Sequence, residues 1–563
     1  MKKSLLAVTI VITLATLLLA QERVDEATVA KFRSEELEHP QIMHTLHMLT
    51  DRYGPRMTGT PNHEAAAKWV AAEMTRWGMK NAHLESWDFA RPGWLNERAT
   101  AFIVAPVKSN LKFEVLAWTP STNGTVTAST IEIEPPQGPL APQTDNGGDG
   151  RGGRGGGRGR GGAPPRLGPT KDEMDQWIAV TKDKVRGKIV LVGKAAVIPV
   201  DMETPQSKRR ADDQVKAQYD PDNPNGGRGG RGGGGGGGRG RGTPDPNRLT
   251  TAQVRDAIDA MMIANGVVAR FNDAARADGV IVAQQHNAYD PSKTVPTLIL
   301  RNDDYGRIER LLADGEDVKV EMNVVNHLYP EGKTSYNVVG EIPGSDKADE
   351  IVMLGGHLDS WHSATGATDN AIGSSIMLEA ARLIQQMGLK PRRTIRVALW
   401  SGEEEGLLGS LAYVAQHFGN AENPKPEWFK LDCYFNIDSG TGRPRGAGIF
   451  GPPEAANVLR PVLAQFTDWG VFGANTTNSR ATGGTDSTSF NNAGLPGVGF
   501  QQDPIEYNTL THHTDLDTYE RIIPDDVEKA SAVIAAAVWH VANRDQMIPR
   551  FTKEQMPPYV KPQ

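Results

Sequence analysis

The stretch IVMLGGHLDS, residues 351–360, decides the fold of this chain. It opens with a short apolar run, which indicates a buried strand, and it ends with two glycines, a histidine and an aspartate. Further along the chain, Ala371–Gln386 has the apolar spacing of a helix, and Thr394–Trp400 is a second apolar run. A strand followed by a helix and another strand favours a parallel sheet with helices packed on its faces.

The same alternation continues to the C-terminal end. A helix is predicted over Leu407–Gln416, a strand over Cys433–Ile437 and a closing helix over Asp525–Ala542. We therefore predict an α/β fold with a mostly parallel central sheet and helices on both faces, whose main part covers residues 327–550.

Two further parts precede this region. In residues 22–111, His63–Trp77 reads as a helix and Ala82–Phe89 as a strand, so this segment is assigned to the N-terminal part of the same domain. Residues 112–326 contain mainly short β-like runs, which predict a β-rich domain inserted between the two parts. The runs are Phe113–Trp118, Thr125–Ile133, Lys188–Val192, Gly279–Ala283, Leu298–Leu300 and Val318–Val324, with one helix over Thr251–Ala264.

Composition excludes several classes of protein. The 563 residues carry a net charge of −7, which argues against a generally basic nucleic-acid binder. Two Gly/Arg tracts, residues 147–162 and 226–242, lack the aromatic side chains that usually interleave in nucleic-acid-binding repeats, so we expect them to be disordered loops. Because Cys433 is the one cysteine, disulfides within the chain and Cys-rich metal sites are excluded, and any metal must be held by His, Asp and Glu.

The N-terminus has the pattern of a signal peptide. Lys2 and Lys3 precede an apolar run that ends at Ala20 and is too short to span a bilayer comfortably. We therefore expect residues 1–20 to be removed on export, with a retained signal anchor as the alternative. Removal would give a secreted or periplasmic protein with no stable membrane insertion afterwards.

Charged and histidine side chains cluster where the predicted strands end. Taken alone, each has an ordinary explanation, such as a helix N-cap or a solvated acidic run. Together they converge on one domain, and the carboxyl ends of strands in open α/β sheets are where ligands bind. The residues are His357, Asp359, Asp369, Glu403, Glu404, Asp438 and the pair His512 and His513.

These residue types suit a centre with two metal ions. Two divalent ions about 3.5–4 Å apart need a bridging carboxylate, further ligands for each ion and a free carboxylate as base. His and Asp/Glu ligands suit zinc, although cobalt or manganese would also bind them. Asp359 is placed to fix the ring of His357.

Three motifs resemble the signatures of the co-catalytic zinc exopeptidases, the family of bacterial leucyl aminopeptidases and glutamate carboxypeptidases: Gly355–Ser360, Gly366–Asn370 and Glu403–Ser410. The branch with carboxypeptidase Q and its bacterial relatives shares further motifs, and the resemblance spans roughly residues 45–550. The further motifs are Tyr53–Arg56, Gly484–Asp486, Ala493–Gly497 and His512–His513 before Asp517–Thr518.

The resemblance implies a role for each residue. Asp369 would bridge two zinc ions, with a cis peptide bond to Asn370. His357 and Asp438 would complete one zinc site, while Glu404 and His513 would complete the other, with His512 as the alternative to His513. Glu403 would be the general base, and the inserted region a protease-associated domain.

The function expected from these features is an exported metallo-exopeptidase that hydrolyses the terminal peptide bond of short peptides or dipeptides through a metal-bridged hydroxide. We favour an aminopeptidase or dipeptidase. A carboxypeptidase of the glutamate carboxypeptidase type and a glutaminyl cyclase are alternatives, and a non-catalytic binding protein is disfavoured by the full ligand set. The partners expected are short peptides and no nucleic acid, and a homodimer is left open.

Overall fold

A computed structural model of the protein describes residues 23–140, 166–202, 205, 207–223, 245–481 and 484–559. The predicted signal peptide and the two Gly/Arg tracts lie outside the described residues. No helix in the described ranges is long and apolar enough to cross a membrane.

The strands, in chain order, are β1 Lys80–Asp88, β2 Gly93–Ala105, β3 Ser109–Asn110, β4 Phe113–Val115, β5 Val126–Ile133, β6 Ile189–Val192, β7 Ala269–Asp273, β8 Thr297–Leu300, β9 Lys319–Tyr329, β10 Thr334–Ile342, β11 Lys347–His357, β12 Arg393–Trp400, β13 Gly419–Asn420, β14 Asn423–Pro424, β15 Leu431–Ile437, β16 Pro444–Phe450, β17 Ala474–Thr477 and β18 Gly497–Gln502.

The α-helices, in chain order, are α1 Glu26–Glu38, α2 Ile42–His47, α3 Pro61–Arg76, α4 Lys171–Thr181, α5 Asp212–Tyr219, α6 Thr251–Ala264, α7 Asn302–Ala313, α8 Ile372–Gln386, α9 Leu408–His417, α10 Pro453–Leu463, α11 Ser487–Asn492 and α12 Pro524–Asn543.

Two eight-stranded sheets organise the molecule, which confirms the predicted mixed α/β class. The first sheet has the order β1-β10-β12-β11-β15-β18-β16-β17. Its centre is parallel, since β12, β11, β15 and β18 run in one direction, whereas β1, β10 and β16 add antiparallel pairs around that centre. The parallel centre brings the carboxyl ends of β11, β12 and β15 to one edge.

Helices cover both faces of this sheet, and alternate side chains of β11 therefore enter different cores. Val352 and Leu354 pack in a large core with residues of α8 and α12. Ile351 and Met353 instead join a smaller aromatic core with residues of α9 and α11. Alternation of this kind is expected of a strand buried on both faces.

The second sheet has the order β3-β2-β9-β5-β6-β7-β8-β4 and packs against a second core, to which Met57 and Trp361 also contribute. Its strands come from the middle of the chain, as predicted, but β2 pairs with β9 and therefore belongs to it as well. The chain thus changes sheet between Asp88 and Gly93, earlier than the boundary at residue 112 that the sequence suggested. The division into domains stays a prediction.

One predicted strand is wrong. Gly279–Ala283 forms no strand, and within this run only Val282 makes an isolated bridge, with Thr514. The buried side chains of Ile281 and Ala283 gave the apolar run its strand-like appearance, but they pack in a small cluster of their own.

Candidate metal centre

His357 ends β11 and is completely buried. Its Nδ1 lies 3.0 Å from the carbonyl oxygen of Asp359, a contact that places a proton on Nδ1 and makes Nε2 the atom available to a metal ion. That Nε2 lies 3.3 Å from Oδ1 of Asp369 and 3.7 Å from Oδ2 of Asp438. The histidine thus presents Nε2 to two carboxylates.

Asp369 lies in the tight turn that precedes α8, and its peptide bond to Asn370 is cis, as predicted. The carboxylate of Asp517 holds this turn by accepting from the backbone N–H groups of Thr368, at 2.5 Å, and Asp369, at 3.1 Å. While Oδ1 of Asp369 faces His357, Oδ2 lies 3.2 Å from Nε2 of His513. This one buried carboxylate therefore lies between two histidines.

Glu403 and Glu404 follow β12 at the same edge of the sheet. Asp359 orients both, because its carboxylate accepts from their backbone N–H groups at 3.4 and 3.3 Å. Oε2 of Glu404 lies 2.9 Å from Nε2 of His513, whereas Oε2 of Glu403 lies 3.9 Å from Nε2 of His357. The two neighbouring glutamates thus point to different halves of the site.

His512 and His513 lie side by side, with ring centroids 3.7 Å apart. His513 adopts a positive φ of 61°, which turns its ring towards Glu404. Nε2 of His512 lies 3.6 Å from Oδ2 of Asp369, farther than that of His513. His513 is therefore the better placed of the two, although either ring reaches Asp369.

The side chains form two groups that could hold a cation. In each group the ligand atoms lie within 4.8 Å of one another, and Asp369 belongs to both. The groups are His357, Asp369 and Asp438, and Asp369, His512 and His513. A carboxylate shared by two such groups is the arrangement that a pair of neighbouring metal ions requires.

Burial and like charge make this cluster of carboxylates unfavourable without cations. Burial raises the pKa of Glu403 well above its usual value and that of Glu404 to about 7. For His357, burial lowers the pKa, but the carboxylates of Glu403 and Asp438 outweigh it and raise the pKa well above 6.5. Excess negative charge in a buried site is what a divalent cation neutralises.

Three buried atoms of the candidate ligands also lack any hydrogen-bond partner among the described residues. They are Nε2 of His357, Oδ2 of Asp369 and Oε1 of Glu404. Buried polar atoms are rarely left unpaired, and each of these three is of a type that binds zinc. The donor set therefore fits zinc.

Several residues that support the site were assigned no role from the sequence. Arg56 is fully buried and donates hydrogen bonds to backbone carbonyl groups on both sides of Ser360, while Tyr507 donates to Oδ1 of Asp438 at 3.2 Å. Asp486 is also buried, and neither carboxylate oxygen has a hydrogen-bond partner in the described structure. The sequence indicates a turn at Gly54-Pro55-Arg56, but it does not indicate that the side chain of Arg56 is buried.

Residues 337–538 match the model of peptidase family M28. The chain carries an M28 peptidase domain. For these residues the expected family and the expected class of domain, a metallopeptidase, are confirmed, and every site residue described above except the supporting Arg56 lies in this matched range.

Relatives of the M28 domain include carboxypeptidase Q of Rattus norvegicus. It is 31% identical over 256 residues, which cover 46% of this chain and 52% of the relative. The chain thus spans about half the length of the curated relatives it matches.

Solved structures with the same fold cover more of the chain. A peptidase M28 precursor of Shewanella amazonensis superposes with a TM-score of 0.60 at 21% identity, covering 94% of this chain and 99% of that one. BSAP, a zinc aminopeptidase from Bacillus subtilis, gives a TM-score of 0.50 at 16% identity, with coverage of 92% and 98%. These likenesses extend the shared fold beyond the M28 domain.

Proposed function

We propose that this chain is a di-zinc exopeptidase that hydrolyses the terminal peptide bond of short peptides or dipeptides, as an aminopeptidase or dipeptidase. One observation carries the proposal: Asp369 faces His357 with one carboxylate oxygen and His513 with the other. The name of the Bacillus subtilis relative supports both zinc and aminopeptidase activity.

The ligand roles follow from the two groups of side chains. Asp369 would bridge the ions, with His357 and Asp438 on one side and Glu404 and His513 on the other. Zinc bound there would polarise the scissile carbonyl group and make a bound water more acidic.

Glu403 is the proposed general base. Unlike its neighbour Glu404, it makes no close approach to His513, and its carboxylate lies at the edge of the site near His357. It would take a proton from the attacking water and deliver it to the leaving amine. Asp359 keeps Glu403 in position through the backbone, so the proton is transferred by a side chain that is already oriented.

The second sheet and its helices are proposed to be a protease-associated domain inserted between the two parts of the catalytic domain. Support comes from the origin of the sheet in one continuous segment of the chain. We also propose export through residues 1–20 to the periplasm or the medium, where short peptides would be the substrates.

The test is hydrolysis of a dipeptide panel, including versions blocked at either end, by the zinc-loaded protein. Glu403→Ala is expected to abolish cleavage, while the exposed control Glu331→Ala leaves it unchanged. If the amino-blocked substrates alone resist cleavage, the enzyme is of the aminopeptidase type. If the carboxyl-blocked substrates alone resist cleavage, it is a carboxypeptidase, the activity in the name of the Rattus relative. If no peptide is cleaved, the proposal is overturned, and an N-terminal glutaminyl peptide then tests for cyclisation.

A further inference from the structure

The loop that carries His513 is attached to the part of the molecule that contains the second sheet, residues 93–329. Val282 forms a bridge with Thr514, and the backbone N–H of Ile281 donates to Oδ1 of Asp515 at 2.8 Å. The backbone N–H of Asp515 donates in return to the carbonyl oxygen of Ile281 at 3.1 Å. Residues 281–284, here called the docking segment, therefore pair with the two residues that follow His513.

Gln284, in the docking segment, reaches His513 itself. Its side-chain amide lies 2.9 Å from Nδ1 of His513, on the opposite side of the ring from Glu404. The backbone of Gln284 is also fixed, since its carbonyl oxygen accepts from the N–H of Ala117 at 3.0 Å. The amide is thus anchored within the second sheet's part of the molecule and not in the loop that it contacts.

The amide of Gln284 can accept a hydrogen bond from the histidine ring. Rotation of the amide about its last torsion exchanges Nε2 and Oε1, so Oε1 can occupy the position next to Nδ1. Nδ1–H of His513 then donates to Oε1, and the lone pair of Nε2 faces Asp369 and Glu404. This is the tautomer that a metal ligand needs.

The two histidines of the site are supported in different ways. His357 is completely buried, and its Nδ1 is held by the carbonyl oxygen of Asp359, two residues along the same segment. The side chain of His513 is 23% exposed and takes its Nδ1 contact from a residue more than two hundred positions away. His513 is therefore the ligand whose orientation depends on another part of the fold.

We propose that Gln284 is a positioning residue of the metal centre, and that the second sheet's part of the molecule thereby completes the zinc site formed by Glu404 and His513. This inference rests on the proposed function. If Gln284 has this role, zinc affinity at that site depends on the position of the docking segment relative to the loop that carries His513.

The experiment is a competition titration of the metal-free full chain with zinc and a chelating indicator. Gln284→Leu keeps the size of the side chain but removes the acceptor, and it is expected to weaken one of two zinc equivalents by about 10–100-fold. Gln284→Glu restores an acceptor for Nδ1–H and is expected to recover most of that affinity.

Arg276→Met is the matched control. Arg276 donates to the carbonyl oxygen of Thr509 at 2.9 Å, so its loss weakens the same interface without touching His513. We expect its zinc titration to match that of the unaltered chain. Circular dichroism of the metal-free variants checks that each is folded.

Three results would overturn the inference: unchanged zinc affinity in Gln284→Leu, an equal loss in Arg276→Met, or no recovery in a folded Gln284→Glu. The titration needs no substrate, so it separates this inference from the proposed function. A chain that binds two zinc ions in the expected way but cleaves no peptide would contradict only the peptidase activity.

Discussion

Nε2 of His513 lies 2.9 Å from Oε2 of Glu404. The two residues come from segments more than a hundred positions apart, and each also faces or adjoins Asp369. While no cation is present, the carboxylate of Glu404 attracts the protonated ring of His513. This attraction raises the pKa of His513 well above its usual value despite the opposing effect of burial. A zinc ion would have to displace the ring proton that this attraction favours.

Glu404→Gln should therefore separate binding from catalysis. Removing this carboxylate is expected to reduce the zinc content from two ions to one, whereas Glu403→Gln should retain both and lose about 10²–10⁴-fold in kcat. Metal analysis after dialysis, together with dipeptide kinetics, measures both effects. Equal zinc contents in the two variants would contradict the roles assigned to these neighbours.

Asp359→Asn tests the support beneath the two glutamates. The carboxylate of Asp359 accepts hydrogen bonds from the backbone of Glu403 and Glu404 and from the hydroxyl of Thr58, and an amide cannot accept all three equally well. We expect kcat to fall about 10–100-fold with zinc still bound. The exposed control Asp349→Asn should behave like the unaltered chain, and a similar loss there would refute this explanation.

Arg56→Met is expected to destabilise the fold rather than change the chemistry. Its guanidinium donates to four buried or partly buried carbonyl groups, those of Leu49, Leu358, Thr365 and Gly366. Leaving them unpaired should cost about 3–5 kcal/mol, seen as a large drop in the thermal midpoint. The exposed Arg52→Met is the comparison, and equal midpoints would show that these hydrogen bonds contribute little.

The metal-free protein should lose stability as the pH rises. Burial raises the pKa of Asp517 and of Glu404 to about 7, from ordinary values of 3.8 and 4.5. In that window the folded state binds more protons than the unfolded state, so stability present below about pH 4 is lost as the pH rises through 7. Each group contributes up to about 1.4 kcal/mol per pH unit.

Zinc should weaken this dependence, because a bound cation stabilises the ionised carboxylate of Glu404. Unfolding midpoints at pH 5.5 and pH 8, with a chelator or with zinc, measure the effect. A metal-free protein that is more stable at pH 8 than at pH 5.5 would contradict the prediction.

Regular helices and strands with buried apolar side chains were predictable from the sequence. The helix predicted over Thr251–Ala264 has those bounds in the structure, and the strand over Thr394–Trp400 differs from β12 by one residue. Periodicity reports burial on one face or two, and these elements have a clear pattern. It failed at Gly279–Ala283, where a buried segment bridges another loop instead of pairing as a strand of a sheet, because an apolar run does not reveal what covers it.

Most of the site was predictable because its residues follow directly after strands of one parallel sheet. His357, Glu403 and Asp438 each lie at or just beyond a strand end, so the topology brings them together. Gln284 has no such marker, since it lies in an irregular segment and reaches the site through tertiary docking alone.

The pairing of β1 with β10 has a consequence for the history of the chain. Asp88 lies opposite Thr334, so the polypeptide leaves the first sheet and re-enters it at neighbouring positions. Seen from that sheet, everything between the two residues replaces the turn of a β-hairpin. Such a module can be gained by one insertion without rearranging any neighbouring strand. The side chains that follow β11, β12 and β15 at the site, those of His357, Asp359, Glu403, Glu404 and Asp438, all lie outside that segment, whereas Gln284 lies inside it.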